Sequence, residues 1–285
     1  MKNFLSKIKT ERVYVFLILL FGMISVFVTF PLGNGDEGYH LSKSYNIFSM
    51  NHPKSMKKTV VRQLEYQAIG LDGDMKDFDV ETFYIKKLKD VEKDSFRFNI
   101  AYDRNITMQI DIAHIPAAIG VMVGRVIYPS YGIMLLCSRI SSLLFFALCM
   151  GAIIKKSTVG KWTLFMLFSI PCIQKLASPS YDVFSYVVFA MYSVNIFELA
   201  KLRTIKEVSK QKILYTLITI ILLLFCKKNY LFALAVIPFL PMFFLRVLEW
   251  LDNKKMSVKI VIFVTGIIVM LVLLGGLNYY LNLLN

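Results

Sequence analysis

Cysteine is scarce and poorly placed for chemistry. The chain of 285 residues has four, Cys137, Cys149, Cys172 and Cys226, each inside an apolar stretch and none in a CxxC or other metal-ligand spacing. That pattern excludes a disulfide framework and a thiolate metal centre, and leaves the four as small apolar fillers. Acidic residues are also few, 19 against 33 lysines and arginines, for a net charge of +14. Internal repeats and low-complexity segments are absent, which excludes solenoid and disordered-linker architectures. What the chain has in abundance is apolar surface. The AVILMFWYC set makes up 56% of it and the mean hydropathy is +0.59. A polytopic membrane protein has that composition; a soluble domain seldom does. The positive charge is therefore read by its location. The expected partner is the lipid bilayer, and no nucleic acid is expected.

Apolar runs recur at Val13–Phe30, Tyr131–Ile154, Trp162–Leu176, Tyr181–Ala200, Ile213–Cys226, Leu231–Leu245 and Val258–Leu277. The first is long enough to cross a bilayer, and no small-x-small cleavage site follows it, so an uncleaved anchor is expected. A weaker segment, Ile115–Tyr128, carries Gly120, Gly124 and Arg125 and ends at Pro129. Sixteen of the 33 basic residues lie in four short segments: the N-terminus and the loops after Ile154, Ala200 and Leu245. All four fall on one side of the membrane if Ile115–Tyr128 is interfacial or re-entrant. The expectation is then seven spans with a cytoplasmic N-terminus. If Ile115–Tyr128 crosses, there are eight spans and the basic loops are split or placed outside. The fold expected is all-α, about seven to eight transmembrane helices with a large first extracytoplasmic loop. Its parts are a cytoplasmic N-terminus (1–12), a first helix (13–30), an outer loop with a juxtamembrane helix (31–112) and a helical bundle (113–285).

The outer loop, Pro31–Asp111, carries 12 basic and 13 acidic residues and is nearly neutral. Its stretch from Leu71 to Asp79 lacks the Gly and terminal Glu of a helix-loop-helix calcium site and reads as a solvated acidic loop. Asn105-Ile106-Thr107 matches a glycosylation sequon by pattern.

Directly after the first span the chain reads Asn34-Gly35-Asp36-Glu37-Gly38-Tyr39-His40. On a helix Asp36 and Glu37 share a face with His40, and Lys43 follows one turn later. Two carboxylates and an imidazole at a membrane surface are the equipment for proton transfer to a substrate anchored in lipid. The alternative is a capped juxtamembrane helix whose charges simply face water. Leu41, Tyr45 and Phe48 recur on the opposite face, so the helix is expected to lie apolar side down with the carboxylates toward water. Further polar residues interrupt the apolar runs: His114, Arg139, Lys175, Asp182 behind Ser178-Pro179-Ser180, and Lys227-Lys228 before Asn229-Tyr230. A charge at mid-bilayer costs about 2.5–3.5 kcal/mol on insertion scales, so each needs a reason. On the seven-span reading all of them fall on the outer half. Snorkelling and helix capping account for them one by one; cations beside a carboxylate–imidazole group would also suit a phosphate leaving group and a hydroxyl nucleophile. The spacing assigns no metal and no cofactor.

Gly35-Asp36-Glu37-Gly38-Tyr39-His40-Leu41-Ser42-Lys43-Ser44-Tyr45 resembles the Pro-Asp-Glu-x-x-His-Phe-x-Arg-Ala-Tyr signature of an uncharacterised family of bacterial integral membrane proteins, itself similar to the GT-C glycosyltransferase superfamily. His114-Ile115-Pro116-Ala117-Ala118, Ala177-Ser178-Pro179-Ser180-Tyr181-Asp182 and Lys227-Lys228-Asn229-Tyr230 resemble three further stretches of that family, in order. Gly35 stands where the family has Pro, Lys43 where it has Arg, and Lys228-Asn229 where it has two prolines. The resemblance implies a transferase that takes a sugar from a polyprenyl-phosphate donor to an envelope glycan or lipid acceptor on the outer face of the cell membrane. It implies Asp36 as base with Glu37 as the alternative, His40 orienting it, and Arg139, Lys227 and Lys228 at the donor phosphate. Lys43, His114, Asp182 and Tyr230 complete the expected substrate-binding set, and a further membrane protein is an expected partner. Rival expectations are a transporter or flippase component for lipid-linked glycans, and a non-catalytic membrane scaffold.

Overall fold

The computed structural model describes residues 9–31, 33, 37–47, 60–62, 80–87, 96–98, 112–158 and 170–252. Asp36, the acidic stretch 71–79, the sequon 105–107 and the run 258–277 lie outside them. Contacts divide the chain into two units, Met1–Glu198 with Ser209–Ala235, and Leu199–Val208 with Val236–Asn285.

The first unit is built around one long helix. Helix α1 (Thr10–Val28) carries a carboxylate, Glu11, in its first turn and no charge after Arg12. It ends where Thr29 turns extended ahead of Pro31. The short α2 (Glu37–Ile47) follows, and the segment after it contributes a π-helical turn (Glu81–Ile85) and an antiparallel ribbon pairing β1 (Val60–Arg62) with β2 (Phe96–Phe98). Then come α3 (Ile115–Ile127), α4 (Tyr131–Lys156), α5 (Ile170–Leu176), α6 (Asp182–Leu199) and α7 (Lys210–Leu223). Serines set several starts: Ser130 Oγ accepts from Ile133 N, Ser180 Oγ from Asp182 N and Ser209 Oγ from Lys212 N, each satisfying an orphan N–H of a first turn. Lys155 and Lys156 close α4, where cations meet the negative end of the helix dipole.

Helix α4 packs on α1, α3 and α5. Its contact with α1 is antiparallel, because Gly22 faces Leu143 while Gly151 faces Val15. Tyr14, Ile18, Leu143, Phe146, Met150 and Val187 are among the side chains buried in the core shared by α1, α4, α5 and α6. Between α3 and α4 the backbones almost touch. A Cβ on Gly120 would sit 2.6 Å from Ser138 Cα, and one on Gly124 would sit 2.8 Å from Met134 Cα. These two glycines form a Gly-x-x-x-Gly face, the small-residue contact that lets helices close on each other in lipid. The opposite face of α3 presents Ile119, Met122, Val126 and Ile127 outward. With 13 residues α3 is about 20 Å long, short of a hydrocarbon core of about 30 Å.

Three helices are long and apolar enough to cross a membrane among the described residues: α1, α4 and α6. The chain is a helical membrane protein, and the two strands among the described residues are three residues long each. The expected seven to eight spans are not reached in this part of the chain, for local reasons. The run Ile213–Cys226 folds as the 14-residue α7, which ends in a turn at 224–226. The run Leu231–Leu245 breaks at Pro241 into a 3-10 helix (Lys228–Phe239) and α8 (Pro241–Asp252), proline having no N–H to continue the first but suiting the start of the second. The run Trp162–Leu176 is described only from Ile170. In the second unit, Leu240 and Met242 are buried and Phe239 packs on Phe244.

The close α3–α4 contact predicts a sharp size limit. Gly120→Leu should cost at least about 3 kcal/mol, because backbone rather than a flexible side chain must move, whereas Val126→Ala on the outward face should be nearly neutral. Thermal midpoints of the two variants in detergent compare them directly.

Candidate functional site

Five elements bring polar residues to one end of the first unit: α1 and α5 end there, α6 begins there, α4 passes with its first two turns, and α7 finishes there. Helix α2 lies across this end. Its polar side faces inward, contrary to the expected orientation: Glu37, His40, Lys43 and Ser44 are all buried. Apolar contacts alone do not place it. Leu41 packs with Val121, Phe83 and Tyr131, and the Arg125 guanidinium lies 4.8 Å over the Tyr45 ring, but the stronger ties are ionic and imidazole contacts.

The first tie is Arg139. It is 1% exposed, and Glu37 is fully buried. Arg139 donates from Nε to Glu37 Oε1 at 2.7 Å and from Nη2 to Glu37 Oε2 at 2.6 Å. Its Nη1 donates to Val26 O at 3.0 Å and Thr29 O at 2.9 Å, and Nη2 also donates to Phe30 O at 3.0 Å. The guanidinium has five N–H donors, and these five contacts use them all. Three of the acceptors are carbonyls at or just past the end of α1, which a helix terminus leaves without partners. Arg139 thus caps α1 and neutralises Glu37 at once, and neither group keeps a free charge. Tyr84 stands beside this pair, its ring wedged against Gly132 and edge-on to Phe83. Burial, above all, pushes its phenol above the usual range.

The second tie is a pair of imidazoles. His40 Nδ1 and His114 Nε2 are 2.8 Å apart, 74 residues apart in sequence, and both rings are buried. A bond between two ring nitrogens needs one donor and one acceptor, so only one of the facing nitrogens carries a proton, and the two rings cannot both be imidazolium without breaking it. Tyr181 meets both rings edge-on, at 4.8 Å from His40 and 5.8 Å from His114. The Lys227 ammonium lies 5.6 Å over the Tyr181 ring. Burial, then the His114 ring, then the charges of Lys175 and Lys227 hold His40 well below the ordinary imidazole range. Lys175 and Lys227 are exposed, and neither has a carboxylate partner among the described residues.

Asp182 and Tyr230 form a third group close by. Tyr230 packs on Phe189 at 5.3 Å and on Tyr186 at 6.5 Å, and the Asp182 carboxylate acts electrostatically on Tyr186 and Tyr230. Lys227 N approaches Ser185 Oγ at 3.4 Å, which ties the turn after α7 to α6. Lys228 is half-buried in that turn. The structure therefore gathers the expected site residues into a neutral Glu37–Arg139 clasp, an imidazole pair under two cations, and the Asp182–Tyr230 group. Lys43 is buried on α2, three residues after His40; Asp36, which precedes Glu37, is outside the described residues. Tyr181 and Lys175 were not among the expected site residues. The signal for Lys175 was a cation ending an apolar run, as Lys227 does.

The clasp and the imidazole pair each carry a prediction. Arg139→Met leaves Glu37 buried without its counter-charge and should cost about 3–5 kcal/mol; adding Glu37→Gln should restore part of the loss, read as thermal midpoints. For His40, the ordinary histidine value is near 6.5 and burial, above all, holds the folded value below it, so on acidification the unfolded chain takes protons first. Its stabilisation is present above about pH 6.5 and is lost as pH falls below it. The thermal midpoint should drop from pH 7.5 to 5.5, and His40→Gln with His114→Gln should flatten that dependence.

No curated protein matches the chain, and no solved structure matches it. Helices long and apolar enough to cross a membrane agree with the family match over residues 19–278: the chain belongs to the family described as predicted membrane protein (DUF2142).

Proposed function

We propose that the protein is a membrane glycosyltransferase that moves a sugar from a polyprenyl-phosphate donor to a cell-envelope acceptor, working at the end of the bundle where α2 lies. The reading rests above all on exposed Lys175 and Lys227, which have no carboxylate partner among the described residues, together with buried imidazoles at a helix-bundle end. Cations held without a counter-charge beside a membrane suit an anionic group on a lipid. The outer-loop motif resemblance supports the donor class, and the basic loops support a cytoplasmic N-terminus with the site on the outer face.

In this reading Asp36 takes the proton of the acceptor hydroxyl. The acceptor oxygen bonds to the anomeric carbon as the bond from that carbon to the phosphate oxygen breaks, and the electron pair leaves with the polyprenyl phosphate. The configuration inverts. Lys227, Lys228 and Lys175 hold the phosphate. Glu37 and Arg139 are positioning residues, because Arg139 holds both Glu37 oxygens and spends its remaining donors on carbonyls at the end of α1. His40 and His114 form the buried wall, and Lys43, Asp182 and Tyr230 hold sugar or acceptor.

Envelope glycan composition tests this in cells carrying the wild-type chain, Asp36→Asn, Lys227→Ala or a deletion, with membrane levels matched. Asp36→Asn should lose the same sugar as the deletion, and Lys227→Ala should lower the transfer rate about a hundredfold. A deletion phenotype with a wild-type Asp36→Asn would remove the base and favour a transporter component or a scaffold.

A further inference from the structure

We propose that an anionic phospholipid of the bilayer seats on α4, its phosphate at Lys155 and Lys156 and one acyl chain along Ala152, Leu148 and Leu144 beneath the start of α3. The inference stands apart from the transferase reading and concerns the end of the first unit opposite α2.

The floor of the site is one face of α4. Cys137, Ser141, Leu144, Leu148, Ala152 and Lys155 follow one another at steps of three or four and so share that face. Helix α3 covers only the part of it nearest α2. It runs antiparallel to α4: Gly124 lies against Met134, Gly120 against Cys137 and Ser138, and Ser141 Oγ donates to Pro116 O at 2.7 Å. Pro116 is the second residue of α3, so this contact marks where the cover begins. Beyond it Leu144, Leu148, Ala152 and Lys155 are all exposed, Leu148 at 65%. On one flank Phe145 stacks on Phe184 of α6 at 6.3 Å, and on the other Gly151 faces Val15 of α1. The result is a groove with α4 as floor, α1 and α6 as sides and α3 across one end. From Leu144 to Lys155 it rises about 16 Å, the depth of one leaflet in a hydrocarbon core about 30 Å thick. A second spanning helix laid along it would run into α3; a chain one leaflet long does not.

The cations stand at the open end. Lys155 and Lys156 are exposed and have no carboxylate partner among the described residues. Glu198 lies at this end, but Lys212 and Thr158 hold it. Glu11, in the first turn of α1, reaches the same end and has Lys9 and Arg12 beside it in sequence. Residues 1–8 and 159–169, which adjoin these helices in sequence, contain Lys2, Lys7 and Lys161 and no Asp or Glu. The three helices long and apolar enough to cross a membrane, α1, α4 and α6, each have an end here, so the ammonium groups lie at headgroup height. Lysines without a counter-charge at that height attract an anionic lipid, and the exposed leucines two and three turns along take its chain. A zwitterionic lipid satisfies the leucines but brings the lysines no net charge.

Tryptophan quenching by brominated lipid tests this on the full chain in phosphatidylcholine vesicles. Trp162→Phe and Trp250→Phe remove the native fluorophores, and Leu148→Trp places one in the groove. Dibrominated phosphatidylglycerol and dibrominated phosphatidylcholine are each added as the minor lipid. Phosphatidylglycerol should quench at the lower mole fraction, with an apparent affinity higher by on the order of tenfold. Lys155→Gln with Lys156→Gln should erase that preference, and Lys155→Arg with Lys156→Arg should keep it. Ala152→Trp repeats the reading one turn nearer the lysines, and supplies it where Leu148→Trp does not fold. Equal quenching by the two lipids overturns the proposal, and so does a preference that survives the double glutamine variant. Quenching by neither lipid shows that protein covers the groove, and overturns it too.

Discussion

The Arg139 guanidinium is the constraint on which the polar end of this protein depends. It is an expensive group to place inside a helix bundle, and it is fully spent once there: two of its hydrogen bonds go to Glu37 and three to the carbonyls that follow or finish α1. A planar, five-donor fork suits this task where an ammonium would not, because it meets a carboxylate with two parallel bonds and still reaches three separate carbonyls. The result is that the chain leaving α1 and the chain entering α2 are pinned to the same point on α4. Everything that α2 presents inward, His40 above all, inherits its position from that clasp.

Charge is handled differently at the two ends of the first unit. At the α2 end the Glu37–Arg139 ion pair is buried and neutral, while Lys175 and Lys227 are exposed and have no carboxylate partner among the described residues. At the other end Glu198 accepts from Lys212 and from both the backbone N and the hydroxyl of Thr158, joining α6 to the start of α7 and to the residues after α4. That second network is partly exposed, where ion pairs contribute little to stability. It acts as a tie between helices at a polar boundary. The midsection between the two ends is apolar, with Asn195 Nδ2 donating to Thr216 Oγ1 as a polar link between α6 and α7.

Much of this was legible in the residues. Composition and run length give a helical membrane protein, and α1, α4 and α6 fall within a few residues of the apolar runs that predict them. The break between the first span and the Glu37 helix, the cap at Ser130 and the stop at Lys155-Lys156 are local features written in short stretches of sequence. The orientation of α2 was not. Leu41, Tyr45 and Phe48 invite an apolar-side-down helix, and the competing demand comes from His114 and Arg139, 74 and 102 residues beyond their partners. Periodicity within a helix cannot register a partner that far along the chain. The same holds for Arg139, whose isolation in an apolar run reads as a ligand-binding cation until its five acceptors are seen together. The 3-10 helix over Lys228–Phe239 was missed because an unbroken apolar run carries no mark of helix type, and only Pro238 and Pro241 hint at an interruption.

The sequence separation inside the clasp has a consequence for how the protein is made. Glu37 is synthesised 102 residues before Arg139, so the carboxylate and the open end of α1 already exist when α4 emerges. An arginine entering the bilayer alone faces a cost of about 2.5–3.5 kcal/mol on insertion scales. Here its acceptors precede it, and α4 gains them on meeting α1. Assembly is thereby biased in order: α1 first, then α4 against it, with α2 drawn in by the same arginine. A chain translated in the reverse arrangement, with the arginine ahead of its acceptors, would have to hold that charge unsatisfied in lipid while the rest of the protein was still on the ribosome.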